Sequence, residues 1–196
     1  MNPVTVPSAC ATALKEWATV LEAMARGEQL VLIRKGGLIE PGSGFEVVSP
    51  SFLFYPTFEH QAVQYLRAPF QPYFDEAAAE RAPESQVRIG LCGEAVRAIS
   101  TLDASVIMRL REHHIYNDAF VTQRLKWQPD QPLMVVLVRA YRLSEPMTLA
   151  VSPRYAGCKS WVELDAPAPL GALQPVLDDA AFAQRLRALE PLLPAA

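Results

Sequence analysis

An α+β fold with a mixed, largely antiparallel sheet is what this sequence predicts. Three observations carry the expectation. Apolar residues recur at helical spacing in several short segments, strand-like runs rich in β-branched and aromatic residues stand between those segments, and the connections are short and punctuated by Gly, Pro or Asn. Strands dispersed among single helices, with no long βαβ repeat, give α+β rather than a parallel α/β sheet.

Taken in order, Leu14, Trp17, Ala18, Leu21 and Met24 fall at i, i+3, i+4, i+7 and i+10, which predicts a helix over 12–25. Ser8 is its candidate N-cap, and Gly27 stands where a helix-terminating residue belongs. Residues 29–34 follow as a strand whose run Leu30-Val-Leu-Ile33 predicts burial on both faces. Lys35-Gly-Gly37 turns it, 38–40 returns, Pro41-Gly-Ser-Gly44 turns again, and 45–48 and 52–55 read as further strands of a meander. Thr57 is placed to cap a helix over 58–66, with Glu59 in its first turn where the helix dipole favours an acid. Residues 67–85 read as an exposed loop carrying a short acidic helix over 75–82. Strands are expected at 86–92 and 94–100, on either side of Gly93. Asp103 caps the next helix, whose inner stripe takes Val106, Ile107, Leu110 and His114, and Asn117 caps a short one over 119–125. Residues 132–143 form the strongest strand, 160–164 a short one, and Asp178 or Asp179 caps a last helix carrying Phe182, Leu186, Leu189 and Leu193.

Composition excludes several classes. At 196 residues the chain is about one domain, dividing by roughly 150 residues per domain. With 51% hydrophobic residues and a net charge of −3, it lacks the low hydropathy and high charge of a disordered protein. Its longest apolar runs, Leu30–Ile33 and Leu133–Val138, fall far short of the roughly 20 residues that span a bilayer. An isoelectric point near 5.7 excludes a protein basic overall but leaves room for a local basic patch. Cys10, Cys92 and Cys158 are too scattered for a disulfide framework or a metal knuckle, and the first residues lack the basic and apolar regions of a signal peptide, so a reducing cytoplasm is expected. The expected organisation is an extended tail over 1–11, one α+β domain over 12–164, and a Pro/Ala-rich linker with a C-terminal helix over 165–196 packed on that domain.

Four segments in one order carry a resemblance: Leu14-Lys-Glu-Trp17, Leu32-Ile-Arg-Lys-Gly-Gly37, Phe52-Leu-Phe-Tyr-Pro-Thr-Phe-Glu-His-Gln61 and Tyr155-Ala-Gly-Cys-Lys-Ser-Trp-Val162. Together they resemble the bacterial family called domain of unknown function 1802, a likeness that implies a bacterial, cytoplasmic protein and brings no activity with it. A second resemblance is one of fold. Gly27-x-Gln29-x-x-Leu32-x-Arg34 is similar to the G-x-K-x-x-E-x-R signature of ASCH domains, which implies a PUA-like pseudobarrel, a fold that binds RNA or modified bases. Gln29 and Leu32 replace the signature's base and acid, and only Arg34 remains.

Candidate functional residues cluster at element ends. Glu59-His60 pairs a carboxylate with an imidazole, the group best suited to proton transfer near neutral pH. His113 and His114 diverge by about 100° on a helix, so they do not share a site, and His114 reads equally as a core residue. No metal site and no cofactor are predicted. Arg34-Lys35 sets two cations beside a Gly turn, where guanidinium and backbone N–H groups can hold a phosphate; the plain alternative is a solvated hairpin end. Cys158-Lys-Ser-Trp161 gathers a thiol, an ammonium, a hydroxyl and an indole, and reads either as a reactive loop or as a turn plugged by its Trp. Residues 106–163 carry a net +3 interleaved with aromatics while the rest of the chain is −6, a pattern suited to single-stranded nucleic acid.

These readings lead first to a nucleic-acid or nucleotide-binding domain without catalysis of its own, contacting RNA or single-stranded DNA through Arg34, Lys35, His60, Lys126, Lys159 and Trp161. The alternatives are a small-molecule or nucleoside-directed hydrolase using His60, Glu59, Lys35 and Cys158, and an accessory module docking through 67–85. The binding reading makes one geometric demand: Arg34, Glu59 or His60, and Lys159 line a single cleft.

Overall fold

A computed structural model describes residues 7–35 and 45–194. Its elements in chain order are β1 (Ala9–Trp17), α1 (Ala18–Ala25), β2 (Val31–Arg34), β3 (Ser51–Thr57), α2 (Pro72–Ala79), β4 (Gln86–Thr101), α3 (Ala104–Arg109), α4 (Asp118–Lys126), β5 (Leu133–Ala150), β6 (Trp161–Pro169), β7 (Leu173–Pro175) and α5 (Asp179–Leu189), with single 3₁₀ turns between them. The strands form one sheet in the order β2-β5-β4-β3-β1-β6, and β7 joins the free edge of β5 beyond β2. Every ladder is antiparallel except β1 with β3. This is the mixed, largely antiparallel α+β sheet the sequence predicts.

The sheet is covered on both faces, and that explains where the sequence misleads. Along β3, Phe52 and Phe54 join one hydrophobic cluster while Leu53 and Tyr55 join the other. Such a strand shows a continuous apolar run instead of alternation. In β1, Leu14 and Trp17 likewise pack into the first cluster and Cys10 and Ala13 into the second. The apolar spacing that predicts a helix over 12–25 is thus the sum of a two-faced strand and a short helix, and residues 12–17 belong to β1. Residue Ser8 caps nothing, because α1 starts at Ala18 and follows directly from the strand. Its end conforms to expectation: Glu28 N–H donates to the Ala23 carbonyl and Gly27 N–H to that of Met24, a Schellman closure with Gly27 at φ +71°.

The meander is corrected as well. β2 pairs with β5, whereas β3 lies between β1 and β4, so the two are not neighbours. Residues 45–48 are irregular, and the expected glycine turn at 36–37, return strand at 38–40 and turn at 41–44 lie outside the described residues. The predicted helix over 58–66 is a turn followed by one 3₁₀ turn at Val63–Tyr65; Thr57 ends β3 and its hydroxyl accepts from the Glu59 N–H at 3.3 Å. The strands expected on either side of Gly93 are one 16-residue strand. There, a side chain at Gly93 would stand 2.8 Å from Phe54 Cε2 and Val138 Cγ1, so glycine is required by close packing. β1 begins at Ala9 and β6 runs on to Pro169, so the sheet extends past both ends of 12–164.

Three of the five expected caps hold. Asp103 accepts from the Ser105 N–H at 2.8 Å, Asn117 from Phe120 at 3.2 Å and Asp178 from Ala181 at 2.7 Å. His114, expected on a helical stripe, lies just after α3 and a 3₁₀ turn in extended backbone, and is buried.

Candidate anion-binding cleft

One end of the sheet opens into a cleft of about 550 Å³. Three strand ends and two turns meet there: the C-terminal ends of β1, β2 and β3, the 58–60 turn and the 157–160 turn, with α4 forming the opposite wall. Arg34, Lys35, Glu59, His60, Cys158 and Lys159 all line it. The single cleft required by the binding reading is therefore present. Lys126 and Trp161 are not in it. Lys126 is exposed at the end of α4. The Trp161 ring stacks on Phe45, meets Phe52 edge-on, and donates its indole N–H to the Glu46 carbonyl at 2.8 Å, so it packs the sheet end rather than presenting a face to a ligand.

The floor of the cleft is a buried polar network that the sequence did not reveal. Glu16, 3% exposed, accepts from the Trp17 N–H at 2.8 Å and from Arg34 Nη1 at 3.0 Å. Arg34 Nη2 donates to Ser160 Oγ at 2.8 Å, so one guanidinium ties β2 to β1 and to the start of β6 across the mouth of the curled sheet. Burial, and then the Glu16 charge, push the neighbouring Tyr116 phenol well above its ordinary value, so it stays neutral. Gln29 and Leu32 have structural duties instead of chemical ones. The Gln29 amide bridges the Val31 carbonyl and the Ile115 N–H, and Leu32 is buried in the core.

Cations surround this floor. Lys15, Arg34, Lys35, Arg124 and Lys159 line the cleft against two carboxylates, Glu16 and Glu59. Lys15 Nζ donates to the Gly157 carbonyl at 3.1 Å and lies 5.7 Å from the Tyr55 ring centre; burial lowers its pKa, Glu59 pulls it back and Lys159 lowers it again. Lys35 Nζ donates to the Arg124 carbonyl at 3.1 Å, and Lys159 Nζ to that of Arg154. Arg124 stands apart. Its guanidinium packs over the rings of Phe120 and Trp127, at 5.3 and 6.0 Å, and makes no ion pair or side-chain hydrogen bond among the described residues. Burial lowers its pKa, Tyr116 and Glu16 raise it, and Arg34 repels it. An arginine remains protonated under such a shift, so Arg124 lines the cleft as a cation.

His60 sits at the rim in left-handed backbone, φ 61°, a conformation that costs a non-glycine residue about 1 kcal/mol and is concentrated at functional sites. Most of the basic 106–163 stretch contributes nothing to the cleft. Arg111, Arg139 and Arg154 are spent on Asp118, Asp179 and Asp165, and Arg109 and Arg142 on the carbonyls of Leu192 and Ala25. Only Arg124 and Lys159 of its cations reach the site, whose other cations are Lys15 of β1, Arg34 of β2 and Lys35 just after β2. No group of three or more His, Cys, Asp or Glu is arranged to hold a metal ion among the described residues.

The fold and the cleft define a small α+β domain with a cationic, aromatic-flanked site at the end of a curled sheet. The chain belongs to the family described as Domain of unknown function (DUF1802), whose model matches residues 13–188. Its structure is similar to that of an ASCH protein from Zymomonas mobilis, 11% identical, with a TM-score of 0.44 over 91% of this chain and 94% of that one. Crystal structures of two point variants of that protein give TM-scores of 0.45 and 0.44 at 11% and 9% identity, over 94% and 91% of this chain and 99% and 96% of theirs. No curated protein matches the chain.

Proposed function

We propose that the domain binds a phosphate-bearing ligand, a single-stranded nucleic acid or a nucleotide, in the cationic cleft. The observation that carries this reading is Arg124, a half-buried guanidinium with no acceptor among the described residues, set among Lys15, Arg34, Lys35 and Lys159 in a chain whose overall charge is negative. Guanidinium donors match phosphate oxygens bidentately, and Trp127 and Tyr65 on the cleft wall offer faces on which a base stacks. A bacterial, cytoplasmic setting belongs to the same reading.

The test is fluorescence anisotropy with labelled single-stranded RNA and DNA oligonucleotides at low salt, competed with a free nucleoside monophosphate. Binding that Arg124→Gln weakens at least about tenfold is the expected result, since one charge-assisted bidentate contact is worth about 1.5–3 kcal/mol. No binding to any of these ligands at low salt removes the reading. Competition by the monophosphate at micromolar levels identifies a nucleotide site; competition only by oligonucleotides identifies a strand-binding one.

A second reading, hydrolysis of a small molecule or nucleoside, is supported by His60, Glu59, Lys35 and Cys158 sharing this cleft. It requires turnover that His60→Ala abolishes while ligand binding persists.

A further inference from the structure

The chain carries four lysines against fourteen arginines, and three of the four, Lys15, Lys35 and Lys159, line the cationic cleft. Elsewhere positive charge is supplied by arginine, with the exposed Lys126 as the exception. The two side chains are not equivalent. A guanidinium keeps its charge in any folded protein, whereas a desolvated ammonium gives up its proton and becomes a nucleophile.

Lys15 is placed for that role. It faces Tyr55 of β3 in register, and its Nζ lies 5.7 Å from the Tyr55 ring centre. The same nitrogen donates to the Gly157 carbonyl at 3.1 Å and has no carboxylate within 4 Å among the described residues. A carbonyl accepts from a neutral amine as well as from an ammonium, so this contact does not hold the proton on. Burial lowers the Lys15 pKa; Glu59 pulls it back, Lys159 lowers it again, and the outcome is a lowered value. Desolvation and an adjacent cation are the two conditions that activate a lysine toward carbonyl compounds. Its neighbours also exchange protons, since Glu59 and His60 line the same cleft. Lys35 differs here. Its Nζ donates to the Arg124 carbonyl, the cation beside it is Arg124, which releases no proton, and the acid acting on it, Asp130, does not line the cleft.

We propose that Lys15 is a nucleophile that forms an imine with an aldehyde carried on a phosphate-bearing ligand. The amine nitrogen bonds to the carbonyl carbon, and its two protons leave with the carbonyl oxygen as water, with Glu59 and His60 in the same cleft to relay them. No oxidant or reductant enters, and water reverses the step. The phosphate half of the proposal rests on the phosphate-binding reading, with Lys35, Arg124 and Lys159 as the anchor; the aldehyde half does not. Two sources carry this chemistry: a small phosphorylated aldehyde, and a single strand with an abasic residue, whose sugar opens to an aldehyde.

The test incubates the full chain at pH 7.5 with pyridoxal 5′-phosphate, with pyridoxal, or with a single-stranded oligonucleotide holding one abasic residue. Cyanoborohydride reduces any imine to a stable amine, and peptide mass spectrometry locates it. The expected result is at least about tenfold more pyridoxal-phosphate adduct at Lys15 than at Lys126, because an anchored phosphate makes the attack intramolecular. Equal labelling of the two, labelling chiefly at Lys35 or Lys159, or no adduct from any probe overturns the proposal. Pyridoxal that labels Lys15 as selectively as its phosphate keeps the nucleophile and refutes the phosphate anchor. Pyridoxal phosphate that competes with oligonucleotide binding without labelling Lys15 refutes the nucleophile and keeps the phosphate-binding reading. Trapping of the abasic strand at lower concentration than pyridoxal phosphate assigns the aldehyde to a strand, and the reverse order assigns it to a small molecule.

Discussion

His114 makes the domain acid-labile, and the size of the effect follows from its surroundings. The ring is 1% exposed, and neither nitrogen reaches a partner at full hydrogen-bond geometry, although backbone groups of Ile107 and Tyr116 lie close enough to favour the charged form in part. Burial, and then the Arg67 charge, lower its pKa from 6.5 to about 4. Above pH 6.5 the ring is neutral in both folded and unfolded chains, and its environment costs nothing that depends on pH. Between pH 6.5 and 4 the unfolded chain takes up a proton that the folded one refuses, so stability falls as pH falls. Each pH unit separating the two values is worth about 1.4 kcal/mol, which removes about 2 kcal/mol at pH 5 and about 3 kcal/mol at pH 4. Against a typical total of roughly 5–15 kcal/mol that is a large fraction. Other groups also titrate there, so the informative quantity is the difference between the wild type and His114→Leu, which keeps the volume and removes the titration. Urea denaturation at pH 7 and pH 5 is expected to show the variant losing about 2 kcal/mol less than the wild type over that interval. Parallel losses in the two proteins refute the reasoning.

Three further outcomes are expected. Glu16→Gln leaves the buried Arg34 guanidinium without its counter-charge and lowers stability by about 3 kcal/mol in chemical denaturation, as removal of one partner of a buried pair does. Gly93→Ala drives a methyl group against Phe52, Phe54 and Val138 and costs about 1–3 kcal/mol, read as a lower denaturation midpoint with an unchanged slope. Iodoacetamide at pH 8 is expected to modify Cys158, which is exposed, and to spare Cys10 and Cys92, which are buried, the latter with its thiol pushed up to about 12 by burial; peptide mass spectrometry reads the sites.

What the sequence shows and conceals has a common cause. Caps are local chemistry, so Asp103, Asn117 and Asp178 were each readable beside the helix they start. Polar residues at strand ends were readable too, and Arg34, His60 and Lys159 meet in one cleft. Burial on two faces erases the period that distinguishes strand from helix, which is why residues 12–17 imitate a helical stripe. Losing β1 conceals the floor of the cleft with it. Lys15 and Glu16 belong to a strand whose parallel partner, β3, begins over thirty residues later, and nothing in Leu-Lys-Glu-Trp announces a buried acid. Arg124 was visible only as one member of a basic, aromatic stretch. Its distinction is tertiary: the other arginines of that stretch meet a carboxylate or a carbonyl, and its guanidinium meets neither among the described residues.

The salt dependence of oligonucleotide affinity tests the account most directly. Glu16 offsets Arg34 and Glu59 offsets Lys15, leaving Lys35, Arg124 and Lys159 to meet phosphates. For a single strand each phosphate neutralised contributes about −0.7 to the slope of log K against log salt, so three give a slope of about −2.1. Lys159→Ala is expected to reduce the slope by about 0.7, and Lys126→Ala, outside the cleft, to leave it unchanged. A slope near zero, or an equal effect from the two substitutions, contradicts phosphate binding in this cleft.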